Sequence, residues 1–220
     1  MLQKLIIYGS GGLGRELLAL LRDIDRTQAI WDILGFVDDS AKPDVPVGGL
    51  RVLGDINYLT QIDSPVLVLM GFTDPDAKAK VFYKLKQNAF ISFPTIVHPS
   101  ASVEPSANLG EGVIITRFCF VSVDTKLGKC VFLNPGSQVG HDSFVGDFTS
   151  IMPNANIAGN VSIGERCLIG AKSAIMQGLS IGSNTTVGIG SIVMQNAPEN
   201  CTVLGYPAKV VKLKKTSPHQ

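Results

Sequence analysis

The sequence lacks nearly everything that would point to a membrane, a nucleic acid, a metal or an oxidising compartment. No apolar run approaches the roughly 20 residues of a membrane-spanning helix. Met1 to Tyr8 is too short for the apolar core of a signal peptide and leads straight into glycine-rich sequence. Nineteen Lys and Arg against eighteen Asp and Glu leave no imbalance to attract a polyanion or an anionic bilayer. There are only four cysteines, Cys119, Cys130, Cys167 and Cys201, with no CxxC pair and no zinc-ligand spacing. Cys119 and Cys167 each fall four places after an aliphatic residue of the repeat described next, which predicts small inward-facing core side chains. These absences predict a soluble, cytoplasmic protein with no metal, no nucleic-acid partner and no membrane partner.

What the chain does have is a period of six. From Val97 every sixth residue is aliphatic, through Val103, Leu109, Ile115 and Val121 and on to Ile181, Val187 and Val193, seventeen in succession. Six fits neither the 3.6 of a helix nor the 2 of a plain strand. It fits a solenoid of short strands, each ending at a corner, with one branched side chain per face pointing inward. Three hexapeptides per coil give between five and six coils. A Gly or Asn often follows the aliphatic residue, as at Gly110, Gly128, Asn134, Gly140 and Gly170, and is expected to supply the left-handed backbone of the corner.

Residues 1–94 have another organisation. Leu5 to Tyr8 reads as a strand, followed by Gly9-Ser10-Gly11-Gly12-Leu13-Gly14 and an amphipathic helix with Leu17, Leu18, Leu20, Leu21 and Ile24 on one face. Ile33 to Val37, ending in Asp38-Asp39, and Val66 to Met70, closed by Gly71, are further strands. Asp74-Pro75 has the chemistry of a helix start, with the helix ending near Asn88. This is a Rossmann-like βαβ pattern of about half the usual size. The predicted organisation is an α/β domain over 1–94, a β-helix over 95–198 and a C-terminal cap and tail over 199–220. Phe82, Tyr83 and Leu85 at one end, and the segment after Pro198 at the other, are expected to cover the prism.

The stretch from Val97 to Val193 resembles the left-handed parallel β-helix of hexapeptide-repeat acyltransferases, and Gly205-Tyr206-Pro207-Ala208-Lys209 is similar to the element that follows the repeat there. With the N-terminal GSGG and FVDD elements, the whole chain resembles the sugar O-/N-acetyltransferases of the NeuD/PglD type. The left-handed coil sense is implied by this resemblance alone, because parallel crossovers are otherwise right-handed. So are acetyl-CoA as co-substrate, a sugar acceptor (a nucleotide-linked amino sugar or a sialic-acid type) and a homotrimer with active sites between subunits.

The resemblance also implies roles. His141, in Val139-Gly140-His141-Asp142, is the general base; a neutral imidazole near pH 7 can take the acceptor's proton. Asp142 can hold its Nδ1 proton only if the pair turns a corner. Gly159 matches a glycine whose N–H meets the acetyl carbonyl. Ala171 and Ile189 line the pantetheine groove, and Lys209 meets a coenzyme A phosphate. Gly11, Gly12 and Leu13 meet phosphate or sugar. Asp38 and Asp39 meet base or ribose, and Gly71 and Asn134 complete the acceptor contacts. Relatives acting on 4-amino sugars carry an acidic residue before the histidine and a second histidine nine places after it, where this chain has Gly140 and Ser150, so O- and N-acetylation both stand. Three further classes remain at this stage. The glycine fingerprint read alone suggests NAD, although no second mononucleotide half follows. A γ-type carbonic anhydrase shares the β-helix, but needs three histidines per zinc where the repeat region offers His98 and His141, His219 lying in the tail. A non-catalytic nucleotide-sugar-binding or structural β-helix is the last.

Overall fold

The computed structural model describes residues 2–213. The chain divides into two compact units, Met1–Pro94 and Thr95–Gln220. The expected tail beyond residue 213, His219 included, lies outside the described residues.

In the first unit the chain runs β1 (Gln3–Tyr8), α1 (Gly12–Gln28), β2 (Trp31–Val37), β3 (Pro46–Val47), β4 (Leu50–Gly54), α2 (Ile56–Thr60), β5 (Val66–Met70), α3 (Pro75–Leu85) and β6 (Ile91–Ser92). The sheet order is β3-β4-β2-β1-β5-β6, all pairs parallel except β3 with β4. Leu5, Ile6 and Ile7 of the central strand are completely buried, as near-continuous apolar runs in parallel sheets should be. α1 turns Leu17, Leu18, Leu20, Leu21 and Ile24 inward, all buried. Asp74 caps α3 by accepting from the Ala77 N–H, with Pro75 in the first turn. Phe82 and Leu85, expected to cover one end of the prism, are buried, with Phe82 stacked on Phe93 of the same unit at a ring-centroid distance of 4.8 Å.

The second unit is a parallel solenoid of two-residue strands, from β7 (Ile96–Val97) to β23 (Ile192–Val193), falling into three sheets. Ile114-Ile115 pairs with Phe132-Leu133, Gln138-Val139 with Asn156-Ile157, and so on in steps of 18. Strands recur every six residues, so three make a coil. The predicted aliphatic ladder forms the core, with Ile115, Val121, Leu133, Val139, Val145, Ile151, Ile163 and Ile169 buried, while Val103 and Leu109 of the first coil are only partly covered. Burial of one such side chain contributes about 1.5–3 kcal/mol. A second inward ladder lies two places before the first, and its hydroxyls and thiols donate to a carbonyl 15 residues on. Thr125 bonds Gly140 O (3.0 Å), Thr149 bonds Gly164 O (3.0 Å) and Cys167 bonds Gly182 O (3.2 Å). All four cysteines are buried free thiols. β24 (Cys201–Gly205) joins the sheet beside Thr186-Val187, adding Cys201 and Val203 to the core, and β25 (Ala208–Leu213) folds back against it.

The glycines after the ladder residues do a different job from the one predicted. The left-handed residues lie two positions later: Asp124, Cys130, Asp142, Phe148, Asn154, Asn160, Arg166 and Lys172 all have φ between 52° and 62°. The preceding glycines have ordinary φ but no room. A Cβ on Gly140 would come within 2.6 Å of the Ala158 carbonyl carbon, and one on Gly170 within 2.6 Å of the Val187 oxygen. Coils stacked about 4.8 Å apart bring backbone against backbone at the corner entrance. Steric closeness, not backbone freedom, selects glycine there.

Candidate active site

The corners stack into three edges, each a ladder of backbone hydrogen bonds. On one edge Asp142 N–H donates to Val123 O (3.1 Å), Asn160 N–H to His141 O (2.7 Å) and Gly178 N–H to Gly159 O (3.1 Å). His141, Asp142 and Gly159 are therefore brought together by register alone. The left-handed φ of 55° at Asp142 swings its carboxylate round the corner, and Asp142 Oδ2 lies 2.7 Å from His141 Nδ1. Both side chains remain half exposed. With Nδ1 protonated toward the carboxylate, Nε2 carries a free lone pair. The imidazole lies against Gly159. A Cβ there would sit 2.6 Å from Cε1 and 2.8 Å from Cδ2, and closer still to Nε2, so the ring's position requires glycine. Among the described residues nothing accepts from the Gly159 N–H.

Asn134, Ala171 and Ile189 lie on a different edge, where Asn154 N–H donates to Pro135 O, Lys172 N–H to Pro153 O and Gly190 N–H to Ala171 O. Ile189 is 73% exposed, an unusual state for an isoleucine, whereas Asn134 is buried. Lys209 is exposed on β25. Within one chain the structure does not join these residues to His141. Gly140 and Ser150 offer the acceptor nothing, since the backbone of Ala158-Gly159 excludes any side chain at the first and the second is fully buried. His98 lies near the start of the solenoid, its Nδ1 2.8 Å from Ser100 Oγ, and no group of three or more His, Cys, Asp or Glu among the described residues is placed to hold a metal.

The first unit contains a cavity of about 570 Å³ at the C-terminal ends of its parallel strands, lined by Tyr8, Gly9, Gly11, Asp38, Asp39, Ser40, Ile56, Gly71, Phe72, Ala77, Lys80, Val81 and Lys84. Four of the predicted acceptor residues, Gly11, Asp38, Asp39 and Gly71, are here. Gly12 and Leu13 are not in the lining, because the chain has already turned into α1. Asp38 is more occupied than a ribose ligand would be. Its Oδ2 accepts from Ser10 N–H and Oγ–H (2.7 Å each), and its Oδ1 from Ser40 N–H (2.9 Å), Ser40 Oγ–H (2.7 Å) and Ala41 N–H (3.2 Å). Burial works against ionisation, but these bonds from Ser10 and Ser40 outweigh it and hold the carboxyl well below the usual range. Asp38 fastens two loops together. Asp39 accepts from Ile56 N–H (2.8 Å) and from the Tyr8 hydroxyl (2.5 Å). Burial, then the bond to Asp39, push that hydroxyl well above the ordinary tyrosine value.

The glycines of the fingerprint divide by cause. Gly14 is required by packing, since a Cβ would strike the Gly9 carbonyl, while a Cβ on Gly11 or Gly12 would meet nothing within 4 Å. The N-terminus of α1 has no side-chain cap and no acid in its first turn, which leaves its N–H groups for an anion. The sequence reading missed Tyr8, Ser40, Phe72, Lys80 and Lys84. Only the spacing of Ala77, Lys80, Val81 and Lys84 along one face of a helix could have signalled the two lysines.

Comparison with known proteins agrees with both units. The PglD N-terminal domain model matches residues 4–85, the bacterial transferase hexapeptide model residues 142–177, and the succinyl-transferase hexapeptide model residues 160–195. No curated protein sequence matches closely enough to count as a relative. Among solved structures, perosamine N-acetyltransferase from Caulobacter crescentus, a histidine variant in complex with CoA and GDP-perosamine, is 28% identical with a TM-score of 0.86 over 96% of this chain and 98% of its own. The acetyltransferase domain of PglB from Neisseria gonorrhoeae, in complex with acetyl coenzyme A, is 28% identical with a TM-score of 0.88 over 96% of this chain and 100% of its own. WeeI from Acinetobacter baumannii, at 24% identity and a TM-score of 0.86 over 95% of this chain and 100% of its own, shares the fold. The N-terminal unit thus matches a PglD-type N-terminal domain and the solenoid matches bacterial hexapeptide-repeat transferases, and the chain as a whole is similar to solved sugar acetyltransferases of the left-handed β-helix superfamily.

Proposed function

We propose that the protein is an acetyl-CoA-dependent acetyltransferase acting on the amino or hydroxyl group of a nucleotide-linked sugar. The observation that carries this reading is the corner at His141: an imidazole anchored through Nδ1 to Asp142 at 2.7 Å, resting on a glycine whose N–H has no partner among the described residues. The acceptor's lone pair attacks the thioester carbon while His141 Nε2 removes its proton. The carbonyl electron pair moves to oxygen and is stabilised by the Gly159 N–H. When the carbonyl re-forms, the C–S bond breaks and the CoA thiolate leaves, taking the proton from His141. No serine or cysteine nucleophile is needed, and the cysteines are all buried.

The cavity of the first unit suits the nucleotide. The uncapped N-terminus of α1 and the side-chain-free approach at Gly11 fit a diphosphate, Lys80 and Lys84 supply positive charge, and Tyr8 with Asp39 supplies acceptors. Acetyl coenzyme A fits the other solenoid edge, with Ala171 and the exposed Ile189 against pantetheine and Lys209 against a phosphate. That edge and the His141 edge are separate within one chain, so a shared thioester favours a site between copies of the chain, as in a homotrimer. The relatives solved with CoA, acetyl coenzyme A or GDP-perosamine support the substrate classes. Neither Gly140 nor Ser150 discriminates an amine from a hydroxyl. A mass-spectrometric screen of nucleotide sugars and sialic acids with acetyl-CoA tests the proposal. A mass gain of one acetyl group is expected. His141→Ala is expected to lower kcat by about 10²–10⁴ with coenzyme binding retained, and unchanged turnover would sink the assignment.

A further inference from the structure

On the His141 edge, the residue stacked beyond Gly159 is Gln177. Asn156 pairs with Ala174 and Ile157 with Ile175, and Gly178 N–H donates to Gly159 O, so residues 159 and 177 occupy the same corner of consecutive coils. A neighbouring edge shows what this placement does. There Lys129 N–H donates to Asp147 Oδ1 (2.8 Å) and Glu165 N–H to Ser183 Oγ (3.3 Å), each partner 18 residues on. Coil stacking thus carries the side chain at i+18 over the N–H of corner residue i. At Gly159 that N–H is open, and Gln177 is exposed with no hydrogen bond to its carboxamide among the described residues. The residue type explains the difference. Asp and Ser are short acceptors that close onto the N–H itself, whereas a glutamine has a longer stem and brings two N–H donors of its own.

We infer that Gln177 supplies a second hydrogen-bond donor to the thioester carbonyl oxygen, alongside the Gly159 N–H. As the acceptor attacks, the carbonyl π pair moves onto oxygen between two donors set one coil apart. As the C–S bond breaks, the pair returns to the carbonyl and both hydrogen bonds weaken. This gives an oxyanion site one backbone and one side-chain donor. The inference rests on the acetyl-transfer reading above.

The test compares wild type, Gln177→Ala and Gln177→Glu in single-turnover acetyl transfer, with acetyl-CoA affinity and thermal unfolding measured in parallel. The expected result is a fall in the transfer rate of at least about tenfold for Q177A, a further fall for Q177E, whose carboxylate repels the developing oxyanion, and unchanged unfolding and CoA affinity. A merely structural residue would not rank Glu below Ala at constant affinity. Wild-type rates in both variants would overturn the inference while leaving the acetyltransferase reading intact, as would a loss confined to acetyl-CoA affinity. An inactive wild type against the whole acceptor panel would remove the acetyltransferase reading and this inference with it.

Discussion

Gly159→Ala separates the geometry of the His141 corner from its chemistry. Gly159 is not among the positive-φ residues, so alanine costs no backbone strain there, and the substitution keeps the backbone N–H. What it adds is one methyl carbon 2.6 Å from His141 Cε1, where ordinary contact begins at 3.4 Å. Nε2 comes closer still, so the ring must retreat by about 1 Å, and it is free to do so because it is half exposed. That movement draws Nδ1 away from Asp142 Oδ2 and Nε2 away from the acceptor. A misplacement of about 1 Å in a reacting group can cost on the order of 10²-fold in rate. Because the displaced side chain is at the surface, the stability change should stay within about 1 kcal/mol, typical of a mild surface perturbation. The assay is CoA release with a thiol reagent in saturating acceptor, with thermal unfolding alongside. A fall of about 10²-fold with an unshifted unfolding curve is expected. Turnover within twofold of wild type would refute the claim that Gly159 positions the imidazole, and an equally large loss explained by unfolding would refute the claim that the effect is local.

The corner rule gives an opposed pair: Gly170→Ala should destabilise by about 2 kcal/mol or more, because its Cβ meets backbone that cannot yield, whereas Lys172→Gly at φ 55° should be neutral or stabilising by up to about 1 kcal/mol. Denaturant titration of both variants checks the sign. Asp38 predicts a pH effect. Its folded carboxyl titrates below the unfolded value near 3.8, so its contribution is present above pH 3.8 and is lost as acid protonates the folded form. Asp38→Asn should therefore be less stable than wild type at neutral pH, with the gap closing below about pH 4, read from unfolding curves across pH.

The solenoid was legible because its period is enforced by stacking. One residue in six must fill the same interior line, and Ile151 or Ile163 cannot be replaced by a polar group without cost. The same arithmetic made His141 and Gly159, 18 residues apart, readable as neighbours. The function of the glycines was not legible in this way. A glycine chosen for φ and one chosen for closeness look alike in sequence, and only coordinates show that Asp142 and Asn160 carry the left-handed turns. The cavity was half legible. Gly11, Asp38 and Asp39 stand out as motif residues, but Lys80 and Lys84 are ordinary helix-surface lysines until the fold shows what their face borders. Asp38 was legible as an acid at the end of a second strand, but only the coordinates show that serines donate to both its oxygens.

The register of 18 also governs how such a chain can change in length. Adding a hexapeptide between His141 and Gly159 would keep every aliphatic side chain inward and every strand paired, and the fold would accept it. Gly159 would then emerge at a different edge of the prism, with another residue beneath the imidazole. Twelve residues would do the same at the third edge, and eighteen would leave Gly159 on the right edge but one coil too far along it. Stability therefore counts residues in sixes, whereas the site accepts no change at all in the eighteen that separate His141 from Gly159, so every lengthening between them that the scaffold tolerates would silence it.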